Sequence, residues 1–128
     1  MDRIIKICRD YSETLGARYI SDGEFSGEDF RKTVLFPLYS EVKKSGDRII
    51  VDLDGGYGNP VSFVEEAFGG LARELGSAAV LSVLDVDNFI SHDVPSLIEE
   101  IKEYINHPFD NKVYKESQKR KKATEEAE

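Results

Sequence analysis

Residues 48–53 read Arg-Ile-Ile-Val-Asp-Leu, a nearly unbroken apolar run standing between two segments whose apolar residues recur at helical spacing. A run of that kind suits a strand covered on both faces, and it must be helices that cover it. Upstream, Phe30, Val34, Leu38 and Val42 mark one stripe of an amphipathic helix, opened by Ser26 with Glu28 and Asp29 in its first turn and closed by Ser45-Gly46. Pro37 lies inside this stripe and is expected to bend or split the helix, because it has no N–H to give the carbonyl of Thr33. Downstream, the turn Asp54-Gly-Gly-Tyr-Gly-Asn-Pro60 leads to a second helix at 62–75, with Val64, Ala67, Phe68, Leu71 and Leu75 inward and Gly76 at its end. A third helix starts near Val94-Pro95 and buries Leu97, Ile98, Ile101 and Ile105. Further strands are expected at Ile4–Cys8, Ala17–Ile20 and Val80–Leu84. The order β-β-α-β-α-β-α predicts an α/β fold: a small mixed sheet of about four strands with about three helices packed on it.

At 128 residues, the chain has room for one domain. Its 40% hydrophobic content includes seven Phe and six Tyr, enough for a core without disulfides or metal. The single cysteine, Cys8, excludes an internal disulfide and fits a reducing cytoplasm. The net charge of −8 is uneven. Residues 1–111 carry −10, and 112–128 carry +2, with Lys119-Arg-Lys-Lys122 followed by an acidic end. An acidic body repels phosphates, so nucleic acid and anionic membrane are not expected partners. After Tyr114 the sequence has no large apolar residue, and the expected division is a domain at 1–110 with a charged tail at 111–128, frayed or disordered.

The acids at two strand ends, Asp52 with Asp54 and Asp85 with Asp87, offer oxygen ligands for a divalent cation. Gly55-Gly-Tyr-Gly58 lacks a phosphate-loop lysine and reads first as a tight turn, with anion or nucleotide contact as the other reading. Ser62-Phe-Val-Glu65 has capping-box spacing, and a hydroxyl at a helix start is also a good place for a phosphorylation switch. Glu65 and Glu66 would repel such a phosphate. Gly69-Gly70 weakens the helix, and close packing or a bare face for a partner are its two readings. Neither His92 nor His107 has a Cys or His at ligand spacing, and no nucleophilic triad is present.

Three segments carry a family resemblance: Asp22-Gly-Glu-Phe-Ser-Gly-Glu-Asp-Phe-Arg31, Val51-Asp-Leu-Asp-Gly-Gly-Tyr-Gly58 and Ser62-Phe-Val-Glu-Glu-Ala-Phe-Gly-Gly-Leu71. Together they resemble the bacterial STAS-like domain family, related to the sulfate-transporter and anti-sigma factor antagonist (STAS) fold, over residues ~15 to ~105. The resemblance implies a non-enzymatic, cytoplasmic regulatory module without cofactor or metal, whose partner is a protein such as a histidine-kinase-like ATPase. In anti-sigma factor antagonists, a serine after a central strand is phosphorylated by that partner. Ser62 falls in the corresponding place, although the segment here reads Gly58-Asn-Pro-Val-Ser62 rather than Asp-Ser-Ser/Thr-Gly. The docking surface implied is Asp54, Gly56, Tyr57, Gly58, Asn59, Glu65 and Glu66 around Ser62. The alternative is a small-ligand, nucleotide or divalent-metal sensor built on the acidic strand ends and the Gly-rich turn.

Overall fold

The computed structural model describes residues 2–127. Strand β1 (Arg3–Lys6) lies parallel to β2 (Ile49–Asp52), with Arg3 opposite Ile49 and Lys6 opposite Asp52. Parallel strands need a crossover. It runs through a single turn of helix, α1 (Ile7–Asp10), and the long helix α2 (27–45). Ser26 caps α2 as expected, its hydroxyl accepting from the Asp29 N–H at 3.0 Å. Pro37 does not split the helix. A π segment, Arg31–Leu35, sits directly before it, and the Phe36 N–H reaches back five residues to the Arg31 carbonyl.

Helix α3 (61–75) repeats the device, with a π segment at Glu65–Gly69 between Val61–Val64 and Gly70–Leu75. Gly76, at φ +92°, then turns the chain into α4 (Ser77–Val83). Here the structure corrects the expected strand at Val80–Leu84. Val80, Val83 and Leu84 are buried at helical spacing, and a short apolar run does not separate the two periods. The expected strand at Ala17–Ile20 is also absent. Its carbonyls instead close the start of α2, accepting from Gly27 and Glu28 at 3.0 and 2.9 Å.

Beside β2, the third place in the sheet is held by single parallel bridges, Ile49 with Leu84 and Asp52 with Ile90. Between them Val86–Asn88 swings out as a 3-10 turn, pinned by Asn88 Nδ2 donating to the Asp85 carboxylate at 2.9 Å. Asx-turn chemistry has thus broken what would be a third strand. Helices α5 (Leu97–Asn106) and α6 (Lys112–Ala127) complete the chain. Among the described residues the architecture is therefore α/β with a two-stranded parallel sheet and six helices, in place of about four strands and three helices.

The core runs between α2, α3 and the sheet. Phe30 and Phe63 stack at 5.6 Å with Tyr11 against Phe30 at 5.1 Å, while Phe68 meets Phe89 at 5.8 Å. Gly27 lets α2 and α3 touch backbone to backbone, since a Cβ there would strike the Phe63 carbonyl. No helix of the described residues is long and apolar enough to cross a membrane.

Candidate functional site

The turn between β2 and α3 is fixed by its glycines. Gly55, Gly56 and Gly58 take φ of +87°, +68° and +111°, a region costly for other residues. A Cβ on Gly55 would lie 2.7 Å from Cys8 Sγ, and one on Gly56 2.8 Å from the Glu13 carbonyl. The turn is also tied down by hydrogen bonds. The Tyr57 N–H donates to Glu13 at 2.9 Å, and Asn59 Nδ2 to the Leu53 carbonyl at 3.0 Å. Cys8 Sγ donates to the Asp54 carbonyl at 3.4 Å. Tyr57, at the tip, is 84% exposed. A large aromatic side chain is thus held out into solvent by a rigid base.

Ser62 is not the helix cap. Pro60 occupies the cap position, and Ser62 is the second residue of α3. Its partner in the expected capping box, Glu65, points inward and is fully buried. The half-buried Ser62 lines a groove of about 790 Å³ between the 17–22 segment and one side of α6.

Beneath this groove lies a buried ion cluster that sequence reasoning missed. Arg18 Nη1 donates to Glu65 Oε1 at 2.6 Å and to Glu66 Oε1 at 3.1 Å. Arg73 grips Glu65 with both ends of its guanidinium, at 2.8 and 3.0 Å. Arg31 pairs with the Glu66 carboxylate and also donates to the Glu66 carbonyl at 2.8 Å. Asn111 Nδ2 donates to Glu65 Oε2 at 2.9 Å, and Tyr114 covers the Arg73 guanidinium at 4.0 Å. Burial alone would push the Glu65 carboxyl up, but the hydrogen bonds from Arg73 and Arg18 outweigh it and hold the group below its ordinary value. Burial likewise works against the Arg18 charge, and Glu65 and Glu66 overcome it.

The paired glycines belong to this cluster. A Cβ on Gly69 would collide with the Glu65 carboxylate, and one on Gly70 with the Arg31 guanidinium. The π segment sets the two pairs in register, with the Gly70 N–H reaching the Glu65 carbonyl five residues back. Gly69-Gly70 therefore makes room for buried charge. It is neither a contact with the sheet nor a bare face. The family model described as a STAS-like domain of unknown function matches residues 26–91, a stretch running from the α2 cap through β2, the turn and α3 to Ser91. The chain belongs to the STAS-like domain family. Comparison with curated proteins and with solved structures gives no significant match. Of the buried ion cluster, the matched stretch holds Arg31, Glu65, Glu66, Gly69, Gly70 and Arg73, while Arg18 and Asn111 lie outside it.

The sequence-derived docking residues divide. Gly56, Tyr57, Gly58 and Asn59 lie together on the turn, with Asp54 at its base. Glu65 and Glu66 are removed from the surface, because three guanidiniums draw them into the interior. Nor do the acidic strand ends form one site. Asp52 pairs with Lys6 at 3.4 Å, Asp85 with Arg48 at 3.6 Å and Asp87 with Lys102 at 2.9 Å. Asp54 accepts from the Asp93 N–H and from exposed His92, both at 2.9 Å, and these partners hold its carboxyl below its ordinary value. Among the described residues, no cluster of three or more Asp, Glu, His and Cys could hold a metal ion.

Proposed function

We propose that this STAS-like protein is a non-enzymatic regulatory module that acts by binding another protein, with the 54–59 turn and Ser62 as its docking surface. The observation that carries the reading is Tyr57, 84% exposed on a turn that three left-handed glycines and a bond to Glu13 hold rigid. Tyrosine is favoured at the energetic centre of interfaces, and a preorganised base spares the entropy of ordering it on binding. The partner is a protein with a basic face, since residues 1–111 carry −10; a histidine-kinase-like ATPase of a partner-switching system is the candidate, and neither nucleic acid nor membrane is engaged. The module works in the cytoplasm.

Phosphorylation of Ser62 is the proposed control. Glu65 and Glu66, which would repel a phosphate if they stood beside it, are buried and neutralised by arginines. Ser62 also lies three residues beyond the turn in sequence, directly after an exposed Val61. A dianion there adds ~−1.5 to −2 charge beside the docking surface. The test is a calorimetric titration of the full chain against the histidine-kinase-like ATPase domains of the same genome. Wild type should bind one of them at micromolar concentration, and Ser62→Glu should change that affinity at least tenfold while Ser62→Ala does not. Absence of binding to every such domain would remove the partner class, and equal binding by Ser62→Glu would remove the switch.

A further inference from the structure

We infer that the groove beside Ser62 is a binding site for a small phosphate-bearing anion, formed by Arg18 on its floor and by Arg120 and Lys121 on the α6 wall. The starting point is an imbalance in the buried cluster. Three guanidiniums, Arg18, Arg31 and Arg73, face two buried carboxylates, and the third acid within reach, Glu74 at 3.3 Å from Arg31, is half exposed. Two nitrogens in this cluster, Arg18 Nη2 and Arg31 Nε, are buried without a hydrogen-bond partner among the described residues. Buried guanidinium donors left unpaired are costly, and native structures usually answer them with water or an ion. Arg18 is 4% exposed, and it lines the groove.

The rest of the lining fits an oxyanion. Arg120 and Lys121 bring two exposed cations from α6, and Ser21 and Ser62 bring hydroxyl donors from the opposite side. Of the carboxylates on the same walls, Asp22 is engaged by the Tyr19 N–H at 3.0 Å, and Glu28 by the Ile20 N–H at 2.9 Å and Lys32 at 3.1 Å. Glu125 is the remaining one, toward the end of α6. At about 790 Å³, the groove is sized for a small molecule rather than for one ion. The groove shares Ser62 with the proposed docking surface, but no residue of the 54–59 turn lines it, so Tyr57→Ala separates docking through the turn from anion binding here.

Titration of the full chain with inorganic pyrophosphate, followed by amide NMR shifts at constant ionic strength, tests the assignment. The expected result is saturating shifts at Ser21, Ser62 and Lys121, with affinity lowered about tenfold in the Arg120→Glu/Lys121→Glu double variant, the loss equivalent to ~1.4 kcal/mol. Both residues are exposed and outside the core, and the one ring contact, Lys121 Nζ over half-buried Tyr19 at 5.7 Å, is a surface contact, so the variant is expected to fold as wild type does. Tyr57→Ala should leave the response unchanged. Shifts that fail to saturate, that scatter over surface lysines, or that persist unaltered in the double variant would overturn the inference.

Discussion

Gly69→Ala exposes the logic of the buried cluster, because two effects of known sign oppose each other. In an ordinary helix interior the change would stabilise by about 1 kcal/mol, since alanine is the better helix former. At position 69 the added Cβ meets the Glu65 carboxylate and lies 3.3 Å from Arg73 Nη1. Glu65 cannot retreat, being held by Arg18, Arg73 and Asn111 inside the buried ion cluster. Displacing it breaks a buried pair and leaves guanidiniums uncompensated, a loss of about 3–5 kcal/mol. The net expectation is destabilisation by about 2–4 kcal/mol. Equilibrium urea unfolding followed by circular dichroism should show a midpoint lowered by about 1–2 M. The Glu65→Ala/Gly69→Ala double variant should recover more than about 1 kcal/mol of the sum of the two single effects, since residues in contact couple. A Gly69→Ala protein as stable as wild type, or more so, would refute the reasoning and return the glycine pair to simple packing.

Other consequences follow from the same geometry. The Glu65 carboxyl is held below its ordinary 4.5, so its contribution to stability is complete above about pH 4.5 and is lost as pH falls through the lowered value; melting temperature against pH should fall on that acid limb, and Glu65→Gln should flatten it. Asn111→Ala leaves a Glu65 oxygen short of a donor and should cost about 1–3 kcal/mol in urea unfolding. Truncation after Gln118 should cost less than about 0.5 kcal/mol, because α6 from Lys119 to Glu125 is exposed. A melting curve for the truncated chain well below wild type would mean that the distal helix braces the body. Tyr57→Ala should leave stability within about 0.5 kcal/mol, since the side chain is exposed and packs on nothing buried.

What could be read before the structure was the layer order and the helices with strong periodicity. The stripe Phe30, Val34, Leu38 and Val42 and its Ser26 cap lie where their spacing puts them, as do Leu97, Ile101 and Ile105. The misses have physical causes. Val80–Leu84 is too short for its apolar run to declare a period, and the break that makes it helical is the left-handed Gly76 before it. The strand near Leu84–Ile90 is interrupted by Asp85 and Asn88, whose side chains bond each other and favour a turn. Ser62 has a cap's spacing, but Pro60 is already in the cap position, with its N–H missing where a helix start does not need one.

The buried cluster was hidden because its members come from distant segments, Arg18, Arg31, Arg73 and Asn111, and charged residues are ordinarily outside. One signal was present. Glu65 and Glu66 are each followed four residues later by a glycine, and in a helix that offset puts the missing side chain directly beside the carboxylate. In this chain the run Glu65-Glu-Ala-Phe-Gly-Gly70 therefore encodes a polar core rather than a surface.

The central proposal is that the 54–59 turn and Ser62 dock a protein partner, and a hydrogen-exchange footprint of the chain with the proposed histidine-kinase-like ATPase tests it most directly. Protection should concentrate at residues 54–62, and Tyr57→Ala should weaken binding about thirtyfold, as loss of an aromatic anchor worth ~2 kcal/mol requires. Protection confined to surfaces outside residues 54–62, such as exposed Ile4 of β1, with Tyr57→Ala binding as tightly as wild type, would contradict the account.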